Sequence, residues 1–428
     1  MKGKYYLNGI DWIAQGLHVN CRRGFGGGYQ FLIVTELEAP PAFEHLKNVF
    51  EKIADIFPVL LGKLKRHPLN LAPYWMPGKS AEGKSAGIEH CSAENMDALH
   101  IELEHFLNEP FKINEPLIGG KLFDLKQGNS FFACKYDHRI FDAGGGELFL
   151  ELLNQLWNEA ELKPDKYQRK KGPWLNEWSH QFECGRTVIR LMRNLYRQGT
   201  ASVFYKKGYS GGGTRFRQLL IDGAAFKRLE NESARIAGPM MLTVYLYARI
   251  QNCLHDLLHA RGEDNPLCLC PMSVEMRTTD DDELFFNHWS VMTMYSRHKD
   301  FDSVENAVGL LKEQFYENIK NKSAYCFSKA NLLVRILPLP ITSLIASKPF
   351  RGTAGTAMTA MLNRGNYAGT ELFGCKVKNL YHVPAMPPHP GLGIFMNRRG
   401  DSLNLTLSWL DGVINEAELA VLSESLHV

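Results

Sequence analysis

The segment Tyr136-Asp137-His138-Arg139-Ile140-Phe141-Asp142-Ala143-Gly144-Gly145-Gly146 sets a histidine four residues before an aspartate and follows them with three glycines. An imidazole suits general-base work because its pKa lies near neutrality. The spacing alone carries little. A chain of this composition yields about one such pair by chance, and His298 with Asp302 repeats it without glycines. The surroundings set the first pair apart. Leu117 to Lys126 and Phe131 to Tyr136 are apolar runs on either side of Gln127-Gly128-Asn129 and read as a hairpin whose second strand delivers His138. From Glu147 to Trp157, Leu148, Leu152, Leu153, Leu156 and Trp157 return to helical spacing. Asp142 and the glycines are therefore expected in the bend before a helix. Glycines there let the chain turn tightly and a ligand approach. The amides at the helix start favour an anion or a polarised carbonyl. The plainest role for Asp142 is to cap that helix.

The elements around this segment alternate. Tyr29 to Leu37 reads as a strand, and Ala42 to Phe57 as a helix with Phe43, Leu46, Val49, Phe50, Ile53 and Ile56 on one face. Lys163 to Arg215 breaks the pattern with a Lys/Arg-rich stretch, Gly172-Pro173 and Ser210-Gly211-Gly212-Gly213, and reads as a crossover between domains. Phe216 to Asp222, Leu267 to Met272, Asn287 to Tyr295 and Leu403 to Trp409 read as strands. Ala224 to Arg235, Leu242 to Leu258 and Glu416 to Leu422 read as helices. The second part thus repeats the class of the first. A chain of 428 residues suits two domains of roughly 200 residues. The division expected is 1–165, a crossover at 166–213, and 214–428.

Composition narrows the function classes. The chain is 45% hydrophobic and 22% charged, ordinary for a globular protein. A net charge of +3 gives no reason to expect nucleic acid. Nine scattered cysteines, an odd number without zinc-knuckle spacing, read as reduced thiols of a cytoplasmic protein; Cys268 and Cys270 read as alternate positions of a strand. No stretch approaches the roughly 18 uninterrupted apolar residues of a membrane span. The N-terminus has no apolar run of signal-peptide length. No second histidine or carboxylate cluster stands near His138 at metal-ligand spacing, so no metal is expected.

The His138 segment resembles the motif of a superfamily that includes chloramphenicol acetyltransferases, peptide-synthetase condensation domains, plant alcohol acyltransferases and wax ester synthases. That motif reads H-H-x-x-x-D-G, its second histidine being catalytic. His138 and Asp142 match it; Asp137 stands for the first histidine and Ala143 for the glycine. The resemblance continues through Gly238-Pro239-Met240-Met241-Leu242-Thr243, Pro271 to Arg277, Phe286-Asn287-His288-Trp289-Ser290-Val291, Leu362-Asn363-Arg364-Gly365 and Leu403 to Trp409.

The resemblance implies an α/β fold of two-layer α+β type, with two chloramphenicol acetyltransferase-like halves forming a pseudo-dimer in a V around a central tunnel. It implies an acyltransferase. His138 would deprotonate a hydroxyl or amine acceptor that attacks a thioester carried on coenzyme A or on the phosphopantetheine of an acyl or peptidyl carrier protein. No permanently bound cofactor is implied, only that thioester as co-substrate. Asp142 would pair with Arg277 and hold the catalytic loop rather than carry a proton. Gly144, Gly145, Asn287 and Ser290 would line the tunnel, with Asn287 or Ser290 as an oxyanion donor or a polar group satisfied within the sheet. Tyr136 and Trp289 read as core or tunnel wall. A two-half chain completes its own site, so a monomer is expected. Two alternatives stay open: a catalytically silent protein that binds an acyl carrier or partner, suggested by Ala143, and a membrane-associated long-chain acyltransferase. The latter draws on two features. Arg186, Arg190, Arg193 and Arg197 recur on a helix opposite Val188, Leu191, Met192 and Leu195, where a solvated face is the simpler reading. Leu332 to Ile345, apolar but broken by Pro338 and Pro340, is expected to be buried.

Overall fold

Short runs rich in valine, isoleucine and phenylalanine alternate with amphipathic stretches along the chain, and the computed structural model resolves them into layered sheets and helices. It describes residues 3–78, 86–126, 128–160, 162, 178–204, 209, 211–277, 283–301, 303–347, 353–362, 367 and 369–426. In chain order, β1 (Tyr5–Tyr6) and α1 (Gly9–Gly24) precede β2 (Gln30–Leu37), α2 (Phe43–Ile56), β3 (Lys63–Arg66), β4 (Pro73–Met76), β5 (Ile88–Ala93), α3 (Met96–Asn108), β6 (Ile118–Leu125), β7 (Ser130–Asp137) and α4 (Ala143–Trp157). Then come α5 (Trp178–Gln198), β8 (Thr214–Asp222), α6 (Gly223–Ile236), α7 (Leu242–Ala260), β9 (Leu267–Glu275), β10 (Trp289–Arg297), α8 (Val304–Lys320), α9 (Ser323–Val334) and α10 (Leu339–Ser347). The chain closes with β11 (Met358–Leu362), β12 (Glu371–Leu372), β13 (Cys375–Pro384), β14 (Leu392–Arg399), β15 (Ser402–Leu410) and α11 (Glu416–Leu426).

Two sheets are six-stranded, in the orders β12-β13-β2-β7-β6-β5 and β10-β9-β11-β14-β15-β8; a small third sheet is β1-β4-β3. The large sheets share a module. β2, β7, β6 and β5 are joined antiparallel, antiparallel and parallel. So are β8, β15, β14 and β11. In each module a helix follows the first strand (α2, α6) and another follows the second (α4, α11). The fold is thus the expected repeat of two α/β halves. One exchange joins them: β13, late in the chain, pairs antiparallel with β2 of the first sheet.

The first sheet is covered on both faces, which is why β2 reads as a nearly continuous apolar run. Phe31 and Ile33 pack with Leu46, Phe50, Phe149 and Leu153 of α2 and α4, while Leu32 and Val34 pack with Leu99 and Leu103 of α3. Tyr136 lies in the first of these cores. In the second repeat Cys268 and Cys270 of β9 face one core together.

Two sequence expectations change. The three glycines do not lie in a bend; they form the first turn of α4, which starts at Ala143 because Asp142 caps it there. The helix expected for Arg186 to Arg197 within the crossover is the 21-residue α5; 163–177 and Ser210 lie outside the described residues, as do Gln127, Asp302 and Asn363-Arg364-Gly365. Leu332 to Ile345 is not buried throughout. Ile336, Ile341, Leu344 and Ile345 are exposed while Thr342 and Ser343 face inward. The reason is local. Ser343 packs on α1 at Gly16, where a Cβ would meet the Ser343 backbone at 3.1 Å, and Asn20 donates to the Ser343 carbonyl at 3.0 Å. Small polar residues win the inner face because the two helices approach closely there.

Candidate active site

β7 runs antiparallel to β2 with Asp137 opposite Gln30 and Tyr136 opposite Phe31, so the residue after the strand lands beside Tyr29. There the His138 amide donates to the Tyr29 carbonyl at 3.0 Å. The imidazole stacks on the Tyr29 ring, centroids 4.4 Å apart and planes within 2°, and meets Phe31 edge-on at 5.2 Å. Tyr29, just before β2, and Phe31 within it therefore fix the plane of the histidine. Its Nδ1 is buried, which leaves Nε2 as the nitrogen available to the cavity that the residue lines. Burial holds the ring below its ordinary pKa, against the opposing pull of Asp142, its own backbone carbonyl, Asp137 and Asn287. It is a neutral imidazole at physiological pH.

The turn that follows is held from inside and outside. Asp137 accepts from the Arg139 amide at 2.9 Å and from its guanidinium at 2.8 and 2.6 Å. Asp142 caps α4 by accepting from the Gly145 amide at 2.7 Å. The same carboxylate accepts two hydrogen bonds from Arg277, at 2.8 and 3.0 Å, and one from the His288 amide at 2.7 Å. Both partners are nearly inaccessible, with 5% of each side chain exposed. Burial alone would raise the Asp142 carboxyl, but Arg277 and His288 hold it down at about 2. With four donors on its two oxygens it has no lone pair free for proton transfer. Cap and cross-link are one residue. Gly145 is required at the crossing, since a Cβ there would stand 2.4 Å from the Leu284 carbonyl oxygen. Ala143, at the first helical position, has no such demand: its backbone is helical and it is not among the residues of positive φ.

The segment Leu284–His288 docks along this turn. The Phe286 amide donates to the Ile140 carbonyl at 2.6 Å. Phe286 is fully buried with φ of +74°, a conformation that a bulky residue adopts only under tertiary constraint. It delivers Asn287. The Asn287 amide donates to Asp11 of α1 at 2.8 Å, its side-chain Nδ2 donates to the His138 carbonyl at 3.0 Å, and its Oδ1 accepts from Trp289 at 3.1 Å. Ser290 is buried with its hydroxyl donating to the Ala324 carbonyl. The structure thus brings His138, Asp142, Arg277 and Asn287 into one network. Ser290 lies behind it. Of the expected tunnel residues, Gly144 lines the cavity, with Trp289; Gly145, Asn287 and Ser290 are not in its wall.

That cavity has a volume of about 470 Å³, within the range of small-molecule sites. It runs between the repeats. Ile10, Val188, Met192, Phe327, Met358 and Phe395 represent an almost wholly apolar wall drawn from α1, α5, α9, β11 and β14. Polar groups interrupt it, among them Asp142, Ser273, Glu275, Asn331 and His382; His382 accepts at Nδ1 from Asn397 at 2.9 Å and sets Nε2 3.3 Å from the Glu147 carboxylate. Burial lowers this histidine to about 3. Among the described residues, no group of three or more His, Cys, Asp or Glu side chains could hold a metal.

Sequence reasoning missed Tyr29, Phe31 and Asp11. Asp11 carried a faint signal, the Asn8-x-x-Asp11 spacing of a capping box, which the structure forms. Tyr29 and Phe31 had none beyond their alternation on a strand.

Solved structures share this architecture over nearly the whole chain. The first condensation domain of the CDA synthetase superposes with a TM-score of 0.69 at 14% identity, covering 99% of this chain and 94% of that one. The chain has the condensation-domain fold. A trichothecene 15-O-acetyltransferase from Fusarium sporotrichioides gives 0.66 at 15% identity, covering 99% and 94%. The starter condensation domain of rhizomide synthetase, in complex with C8-CoA, gives 0.65 at 10%, covering 99% and 93%. The condensation-domain fold is the pseudo-dimer of acetyltransferase-like halves expected from the resemblance. No protein-family model and no curated protein sequence matches the chain.

Proposed function

We propose that the chain is an acyltransferase that moves an acyl group from a thioester, on coenzyme A or a carrier protein, to a hydroxyl or amine, with His138 as general base. The observation that carries this reading is the neutral His138 imidazole, stacked in place, offering Nε2 to an apolar cavity between the repeats. The likeness to an acetyltransferase and to a condensation domain in complex with C8-CoA supports it.

The step balances without a covalent enzyme intermediate. Nε2 takes the proton of the acceptor hydroxyl or amine as its oxygen or nitrogen attacks the thioester carbonyl. The tetrahedral adduct collapses, the C–S bond breaks, and the imidazolium returns its proton to the leaving thiolate. Asp142 stays ionised. With Arg277 it positions the loop, and Asn287 positions it through the His138 carbonyl. Apolar walls suit an acyl chain and exclude water, which would otherwise compete with the acceptor. The silent-binder alternative rested on Ala143, whose helical backbone supports the active reading.

The test is release of free thiol from short, medium and long acyl-coenzyme A donors with pooled alcohols and amines, for wild type and His138→Ala. Acceptor-dependent thiol that His138→Ala loses about a hundredfold or more fits a missing general base. Equal activity in both proteins refutes the assignment. If neither protein acts on coenzyme A, acylated carrier protein is the donor to use next.

A further inference from the structure

Helix α10 is built inside out. Thr342 and Ser343 are 0% and 3% exposed, while Ile341, Leu344 and Ile345 are 47%, 61% and 37% exposed. Ile336, Pro338 and Pro340 before and within it are exposed as well. No charged residue occurs from Leu339 to Ser347. A surface helix in water normally shows the opposite arrangement, and a contiguous apolar face rimmed by polar residues marks a contact with something apolar.

The rim is α5. Its buried side, Cys184, Val188 and Leu195, packs on α9 and β9. Beside that side runs an exposed apolar stripe at sevenfold spacing, Phe182, Ile189 and Tyr196. Next to the stripe, and also exposed, run Arg186, Arg190, Arg193 and Arg197, against a single acidic residue, Glu183. Apolar stripe and basic stripe side by side are the pattern of a helix lying in a membrane interface. The two faces meet at the cavity: Ile189 of α5 and Ile345 of α10 are exposed and also line its wall.

We propose that α10 and the exposed stripes of α5 dock the protein on an anionic lipid bilayer, with the cavity mouth facing the lipid. The arginines meet the headgroups and the α10 isoleucines and leucine enter the acyl boundary. Among the described residues no helix is long and apolar enough to cross a membrane, so the contact is with the surface. A second copy on a two-fold axis would oppose arginines to arginines, and an acidic protein would leave the uncharged α10 face unmatched.

The experiment is flotation of the full chain with vesicles of phosphatidylcholine, with and without phosphatidylglycerol, at low and high salt. Wild type floats with the anionic vesicles at low salt, and high salt releases it. Ile341→Ser with Leu344→Ser abolishes flotation. Arg190→Ala with Arg193→Ala lowers partitioning about 25-fold, about fivefold per arginine. All four side chains are exposed, so thermal unfolding stays at the wild-type midpoint. His138→Ala floats like wild type, which separates this proposal from the reaction. Absence of flotation, or flotation that the substitutions leave intact, overturns it. So does a lipid-free dimer that the α10 substitutions dissociate, since the face then belongs to a second copy.

Discussion

The loop after β7 and the loop after β15 occupy the same place in the two repeats, each leaving the second strand of the module and entering a helix capped by an Asx side chain. They are secured differently. In the second, Asn415 accepts from the Glu418 amide at 2.9 Å and Glu418 accepts from the Asn415 amide at 3.0 Å. Arg261, which caps the end of α7, completes the set by binding Glu418 at 2.7 and 2.8 Å. Every partner belongs to the second repeat, and Asp411 at the strand end is exposed. In the first loop the cap, Asp142, is bound by Arg277 and the His288 amide, far along the chain. A local cap suffices to start a helix. A cap shared between repeats also fixes where the loop stands relative to the opposite wall of the cavity, and that is the loop that carries a histidine.

The largest effects fall on the first loop. His138→Ala lowers kcat by about a hundredfold or more and leaves the unfolding midpoint close to wild type. For wild type, kcat/KM plotted against pH has an acid limb. The neutral imidazole is the active form and burial lowers its pKa, so the limb falls below the ordinary value of 6.5. A midpoint above 6.5 would assign the limb to another group.

Next comes stability. Asp142→Ala leaves a buried guanidinium without its main partner and costs about 3–5 kcal/mol, whereas Asp411→Ala at the equivalent turn stays within about 0.5 kcal/mol. Urea unfolding of the two variants measures the gap. Equal losses would mean that the two loops are anchored alike. The sign with pH follows from the depressed carboxyl. The Asp142 contribution is present above the unfolded carboxylate range and is lost as pH falls through about 2.

These contrasts mark what the sequence could carry. The repeat, the hairpin and the His138–Asp142 pair were legible because they rest on local periodicity, turn residues and one motif. Arg277 was reachable only through resemblance, since nothing local ties it to a residue 135 positions earlier. The start of α4 was misplaced because three glycines read as a bend; only the packing of Gly145 against the Leu284 carbonyl shows why they sit in a helix. Tyr29 and Phe31 gain their role from strand register. The outward face of α10 was misread because apolarity in a sequence does not say whether the apolar environment is the core or something outside.

Smaller effects sharpen the comparison from the other side. Asn415→Ala removes only the local cap of α11 and costs about 1 kcal/mol, with kcat unchanged because no partner of that cap touches the cavity.

Ala143→Gly gives a small effect and tests the first loop at its own departure from the motif. The position is helical and its neighbour Asp142 already fixes the turn, so glycine adds only freedom to the unfolded chain. The expected loss is about 0.4–1 kcal/mol, with kcat within about twofold of wild type. A large gain in kcat on restoring glycine would show instead that the alanine methyl obstructs the cavity beside Gly144, and that the loop, though anchored by Arg277, is tuned away from turnover.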